Sequence, residues 1–288
     1  MPGRVFLANV GANASHRFQS PIFPDGTFEM LPIPEASNLP GSSLVRFGDL
    51  RSFNQPDQSL RQFIPERWWD WPCHFDPEFH TLTYGDDCEV APRAAALKGM
   101  APGDCICFIA RLVDYREGKF TGQRGFYLTG FLEVAEVLPS VTALPGPEEM
   151  DRFGSNAHIR RAQADATLWN RFWVFRGSPN SRRFRRAVPV TRELASRVFR
   201  TAQGEEWSWD SPRSELQVIG SYTRSCRCVI DPEQPGGPDR GRTFWQAVAA
   251  AAGPDALPPA VQATVQAAVQ ATHQPEVHDT YQAEVGEA

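Results

Sequence analysis

The sequence has no long apolar run; none approaches the roughly 18 residues that a membrane helix needs. It also lacks a signal-peptide pattern at its start, because Val5-Phe6-Leu7 is too short for a signal's hydrophobic region. A cytoplasmic chain with reduced thiols and no membrane partner is therefore expected. The six cysteines offer no zinc-knuckle spacing: Cys105 and Cys107, like Cys226 and Cys228, are separated by one residue. They read as buried structural thiols. Absent too are the six-residue dinucleotide fingerprint, a phosphate loop ending in Lys-Ser/Thr, a nucleophile motif and a redox-cofactor motif. The cofactor is left unassigned, and no internal repeat is found.

Lysine is missing from one stretch where charge is dense. Between Arg152 and Arg200 stand twelve arginines, no lysine and only two acids, Asp165 and Glu193. That segment carries +10 within a chain of net charge −5, which leaves −15 elsewhere. Such asymmetry points to a basic face and an anionic partner more strongly than the total argues against one.

What is present is ample for a core: 41% hydrophobic and 11% aromatic residues. The 22 glycines and 25 prolines favour many turns and short elements over a helical bundle. The centre of the chain is 102–138. A Pro102-Gly103-Asp104 turn leads into a strand from Cys105 to Val113 that suits burial on both faces. After a polar, glycine-containing excursion comes a second strand, Phe126 to Leu138. Its two-residue period puts Phe126, Leu128, Leu132 and Val134 on one face, with Thr129 and Glu133 on the other.

Around this hairpin, residues 4–7 read as a first strand ending in a polar loop with Asn9, Gly11 and Asn13. Backbone N–H groups and amides there are suited to approach a ligand. Asp25-Gly26 signals a hairpin turn among prolines. Short helices are expected near Asp57–Phe63 and Arg93–Lys98. Trp68, Trp69 and Trp71 read as a core anchor rather than an exposed stacking platform. Leu168 to Arg176 should be a strand, and Thr191 caps a helix from Arg192 to about Thr201. Leu216–Ser221 and Arg224–Ile230 look like a last pair of short strands, or a strand plus an irregular arm, followed by a Pro/Gly loop at 231–242. One domain over 1–245 is expected, then an Ala/Gln-rich weak helix around 259–272 and an acidic, disordered tail within 246–288.

The densest titratable group is His74 to Asp87. His74, Asp76 and Asp86 could serve as acid and base, with His158 joining from the basic segment. A divalent metal is conceivable for such residues, but His74-x-Asp76 is equally the pattern of a turn, and no metal ligand is assigned. The anion-binding candidates are Asn9, Gly11, Asn13, Arg160, Arg171, Arg176, Ser178, Arg182, Arg183, Arg185 and Arg186, since guanidinium groups pair bidentately with phosphate.

Two resemblances follow from these residues. The turn at Pro102-Gly103-Asp104, the strand Cys105–Ala110, the run Gly130–Val137 and the step Phe184-Arg185-Arg186-Ala187-Val188-Pro189-Val190 resemble PUA-like domains of the EVE and ASCH groups. More of the chain is similar to the third type of nucleotide modification associated domain, through Ser20-Pro21, Asp25-Gly26, Leu31–Glu35, His74-x-Asp76-Pro77, Tyr84-Gly85-Asp86, Arg93, Leu97, Gly103-Asp104 and His158. Together they imply an α+β fold whose mixed, mainly antiparallel sheet closes into a PUA-like β-barrel with a few short peripheral helices. They also imply a place in a nucleic-acid modification system.

Three functions remain open on the sequence. The first is binding of a modified or unusual nucleotide or base in nucleic acid through a basic pocket. The second is an enzyme of nucleotide or base modification or hydrolysis built on the His/Asp cluster. It gains force if His74, Asp76 and Asp86 share a cleft with Arg176 and Arg185, and loses most of it if they lie on opposite sides. The third is an interaction protein whose partner is another protein.

Overall fold

The computed structural model of the protein describes residues 3–11, 18–41, 44–210, 212–259 and 261–262. Ten strands are found among them: β1 (Val5–Asn9), β2 (Ser20–Ile22), β3 (Ile33–Pro34), β4 (Cys73–His74), β5 (Thr83–Asp86), β6 (Cys105–Arg116), β7 (Lys119–Val141), β8 (Phe172–Gly177), β9 (Arg182–Pro189) and β10 (Arg227–Ile230). Five α-helices accompany them: α1 (Pro147–Phe153), α2 (Ala157–Ala164), α3 (Arg192–Val198), α4 (Glu215–Tyr222) and α5 (Gly237–Ala252). Eight strands form one mixed sheet in the order β10-β1-β6-β7-β8-β5, with β2 added to β6 and β9 to β7; β3 and β4 form a separate pair.

The expected barrel does not form. Among the described residues the large sheet is open, ending on β10 and β5, and neither sheet closes on itself. Its middle shows why. β1 lies parallel to β6, and both strands are buried on both faces. Val5, Leu7, Cys105, Cys107 and Ile109 enter one apolar cluster, while Phe6, Ala8, Ile106 and Phe108 enter another. A strand whose two faces feed two cores is the central layer of a covered sheet, not the wall of a barrel with one solvated side. α3 and α5 contribute to the first core; there Trp245 of α5 meets Phe131 edge to face at 5.2 Å.

The central hairpin is longer and tighter than its sequence suggests. β6 and β7 continue through the polar stretch and join at Glu117-Gly118, both with positive φ (49° and 78°). That is the two-residue turn whose twist matches paired strands. Tyr115 and Phe120 pair across it and pack on Phe63, which gives the exposed end a reason to stay extended. The faces of β7 also switch. Phe108 pairs with Gly130 but Ile109 with Leu128, so Thr129 is an extra residue, a bulge, and its hydroxyl donates to the Phe108 carbonyl at 3.3 Å. Phe126 and Leu128 therefore face the first core, and Leu132 and Val134 the second.

Other elements depart in instructive ways. Thr191 caps α3 as expected, its side chain accepting from Leu194 N–H. Leu216–Ser221 is helix, not strand, because Ser214 and Gln217 form a reciprocal capping box at the start of α4. The Pro/Gly loop at 231–242 already contains the first turn of α5, where Pro238 sits at a position that needs no N–H. β8 begins at Phe172, since Ala166–Leu168 forms a 3-10 turn instead. Most of the weak helix expected at 259–272, and the tail beyond it, lie outside the described residues. No helix among the described residues is long and apolar enough to cross a membrane.

Candidate active site

Four distant segments border a cleft of about 370 Å³, within the roughly 300–1,000 Å³ range of small-molecule sites. They are the end of β1 with Asn9 and Gly11, the Met30–Ala36 stretch, β4–β5 with His74, Asp76 and Tyr84–Asp87, and α2 with His158 and Arg161.

Each functional side chain is placed by local chemistry. Prolines 32 and 34 keep the 30–36 stretch extended, and Ile33 pairs with His74 in the small sheet. Glu35 N–H donates to the Pro72 carbonyl (3.0 Å), and Trp71 Nε1 donates to the Glu35 carbonyl (3.1 Å). Glu35 Oε1 thereby stands 2.9 Å from His74 Nδ1. Burial acts against the Glu35 carboxylate, yet the hydrogen bond and charge of His74 hold its pKa below the usual value. An ionised carboxylate only accepts, so a hydrogen sits on Nδ1 of His74, and Nε2 is the ring atom that faces Asp76.

Asp76 follows β4 and is almost fully buried, with 1% of its side chain exposed. Its Oδ2 accepts from Gly85 N–H (2.8 Å) and from Asn156 Nδ2 (3.5 Å), while Oδ1 is buried without a hydrogen-bond partner. Burial pushes the Asp76 carboxyl up to about 7.

His158 lies in the first turn of α2. Asn156 starts that helix, its side chain accepting from His158 N–H at 2.9 Å. The imidazole fits against β5 because position 85 is glycine: a Cβ there would lie 2.5 Å from His158 Cδ2 and 2.7 Å from Asn156 Oδ1. The two histidine rings meet edge to face with centroids 4.7 Å apart. Both Nε2 atoms stand 3.9 Å from Asp76 Oδ2. His158 Nδ1 lies 3.5 Å from Asp87 Oδ1 and 3.0 Å from Arg161 Nη2. Burial drives the His158 pKa down to about 4, so the ring is neutral at pH 7. Asp87 is held down at about 2, against its own partial burial, by its contact with His158 and by Arg161.

Asp86, the remaining acid/base candidate, also lines the cleft, but its oxygens are already engaged. Arg93 grips it in a fork (3.0 and 2.7 Å), and the Tyr84 hydroxyl donates to it at 2.8 Å. That arrangement braces the cleft wall. Asn9 lines the cleft beside Thr223, to which its amide donates at 3.3 Å, and Gly11 lines it through backbone at φ 108°. Asn13 lies outside the described residues.

Most of the arginine-rich segment lies elsewhere: Arg161 lines this cleft, but neither Arg176 nor Arg185 does, so the condition under which the enzyme reading gains force is not met. Arg176 is bound to Glu136 at 2.6 Å. Ser178 donates to Glu133 at 2.6 Å. Arg182 donates to the carbonyls of Asn180 and Asp255. Arg183 is nearly buried, paired with Glu29 at 3.2 Å and stacked over the rings of Phe28 and Phe53. Arg160 packs beside Cys73 and Glu35, and Arg171 donates to Ser140. Arg185 and Arg186 are exposed on β9 and form no salt bridge among the described residues. The guanidiniums that do border the cleft, Arg93 and Arg161, were not among the predicted binding residues.

Also missed from sequence were Glu35, Asp87 and Asn156. Asn156 had a signal, a capping residue two positions before His158. Glu35 had none, because its role depends on a strand pair that joins positions 33–34 to 73–74.

The family model described as nucleotide modification associated domain 3 matches residues 4–219. The chain belongs to that family. The match takes in every described cleft residue, from Asn9 to Arg161, and ends within α4. No curated protein and no solved structure matches the chain.

Proposed function

We propose that this nucleotide modification associated domain 3 protein performs chemistry on a nucleotide, free or within nucleic acid, in the cleft between β1, β5 and α2. The observation that carries the reading is convergence. His74, Asp76 and His158 come from segments more than eighty residues apart, yet all three ligand-type atoms point at one another inside a concave site. Asp76 Oδ1, buried without a hydrogen-bond partner, leaves an acceptor free within that cluster. In this reading His74, Asp76 and His158 are the reacting set, Asp86 with Arg93 is a positioning pair, and Asn9 with the backbone at Gly11 orients the base or sugar. The first alternative, simple binding of a modified base by a basic pocket, draws support only from exposed arginines such as Arg185 and Arg186, which lie outside the cleft.

The test is a panel of ordinary and modified nucleotides and oligonucleotides incubated with the full chain, with product read by mass spectrometry. Turnover that disappears in His74→Gln and His158→Gln, with native circular dichroism retained, is the expected result. Binding that maps to β9 by cross-linking, with no product from any member of the panel, would overturn the reading in favour of a binding module.

A further inference from the structure

We propose that His74, Asp76 and His158 bind a divalent transition-metal ion. The inference rests on the reading above for its substrate and deepens it at the same cluster. Nε2 of each histidine and a carboxylate oxygen of Asp76 lie within 4.8 Å of one another. Ligand atoms held at about 2.1 Å from one ion stand at most about 4.2 Å apart, so side-chain movements of less than about an ångström would seat an ion among them.

Three further observations fit ligation better than a dry hydrogen-bond network. Each histidine turns Nε2 inward and has a carboxylate at Nδ1: Glu35 Oε1 at 2.9 Å for His74, Asp87 Oδ1 at 3.5 Å for His158. This is the carboxylate–histidine–metal arrangement, in which the outer partner fixes the tautomer and raises ligand basicity. For His158, ligation selects the tautomer with hydrogen on Nδ1, which donates to Asp87. That tautomer gives up the 3.0 Å contact of Arg161 Nη2 with Nδ1, and Arg161 keeps its 3.2 Å contact with Asp87. Second, Asp76 Oδ1 is buried and unpartnered, a desolvation cost that a cation would relieve. Third, the cleft is acidic. Glu35, Asp76, Asp86 and Asp87 line it against Arg93 and Arg161, and both guanidiniums already hold carboxylates. A nucleotide phosphate entering there meets excess negative charge, which a divalent ion would offset.

Two imidazoles and one carboxylate suit Fe²⁺, Mn²⁺, Co²⁺ or Zn²⁺ rather than Ca²⁺ or Mg²⁺, which prefer all-oxygen sets. Three protein ligands leave coordination positions for water or a substrate oxygen. In this role the histidines are ligands, and the metal supplies the polarising charge.

The experiment uses the full chain, stripped with chelator and titrated with Mn²⁺, Co²⁺ and Zn²⁺ by calorimetry. Co²⁺ binding is also followed by visible absorption and X-ray absorption. One ion per chain with two-imidazole coordination is expected. His74→Ala and His158→Ala should each weaken binding by at least 100-fold, and Asp87→Asn by about 10- to 100-fold. His80→Ala, outside the cluster, should leave it unchanged. No saturable binding to the unaltered chain, or one-ion binding that survives both histidine changes, would overturn the proposal. The spectroscopy on the unaltered chain decides even where a variant fails to fold. A bound ion with no nucleotide turnover leaves the metal site standing and removes the functional reading; turnover by a chain that binds no ion does the reverse.

Discussion

The arginine-rich segment and the His/Asp cleft both stand out in the sequence, but they are built in opposite ways. In the segment the charges are neighbours along the chain, and the fold disperses them. Arg176 turns to Glu136, Arg183 to Glu29, and Ser178 and Asn180 to Glu133. In the cleft the residues are scattered from 9 to 161, and the fold collects them. The first pattern neutralises an excess of charge against the acidic remainder of the chain. The second leaves Asp76 Oδ1 buried without a partner and brings two imidazole Nε2 atoms to 3.9 Å from Asp76 Oδ2. Density along the chain thus marks where charge must be managed. Convergence in space marks where chemistry can occur.

The largest expected effect separates the two regions directly. His158→Gln should lower turnover by at least about 100-fold, the scale of losing a positioned acid, base or ligand. Arg176→Ala should stay within about twofold, equivalent to the ±0.5 kcal/mol of an ordinary surface change. Steady-state kinetics on one substrate measures both, and equal losses would erase the distinction. Next in size is Arg183→Ala. It leaves Glu29 buried with bonds only from Ser52 and the Phe53 N–H, and removes a guanidinium stacked on two rings. About 3 kcal/mol of stability should be lost, the lower end for a broken buried pair. Urea unfolding reads that loss, and the double change with Glu29→Gln should recover part of it. Turnover by the folded fraction should be unchanged, which marks Arg183 as scaffold.

How much of this was legible in the sequence differs by scale. β1, β6 and the capped start of α3 follow from local pattern: a short apolar run, a two-sided apolar run and a threonine N-cap. The open sheet does not, because β1 pairs parallel with β6 across almost a hundred residues and no local signal encodes that pairing. Neither does the face switch in β7, which a single bulged residue, Thr129, produces. In the cleft, His74, Asp76, Asp86 and His158 were visible as reactive types in a dense or basic setting. Their outer partners were not. Glu35 is a proline-flanked acid, and Asp87 one of a pair of acids, until the β3–β4 pairing and α2 bring histidines to them. The partners of Asp86 were hidden for the same reason: nothing local reveals that Arg93 and Tyr84 will close around it.

Gly85→Ala tests whether the cleft depends on close approach. The added Cβ would sit 2.5 Å from His158 Cδ2, so the ring must move or β5 must shift. An overpacking cost of about 1–3 kcal/mol is expected in urea unfolding, together with a fall in turnover larger than the stability loss explains. Normal turnover would mean that the distance between His158 and Asp76 is not critical, and would favour a looser binding site.

The smallest effect is expected from replacing Arg185 and Arg186 with alanine together. Both are exposed on β9 and outside the salt bridges of the described residues, so stability should change by less than about 0.5 kcal/mol. Mononucleotide turnover should be unaffected, because neither residue borders the cleft. On long nucleic acid the two would act only as phosphate contacts. Their loss should then weaken binding to duplexes of any sequence alike and reduce the slope of log affinity against log salt by about 0.9 per arginine. A change in mononucleotide turnover would instead join the basic face to the cleft and make the two regions one site.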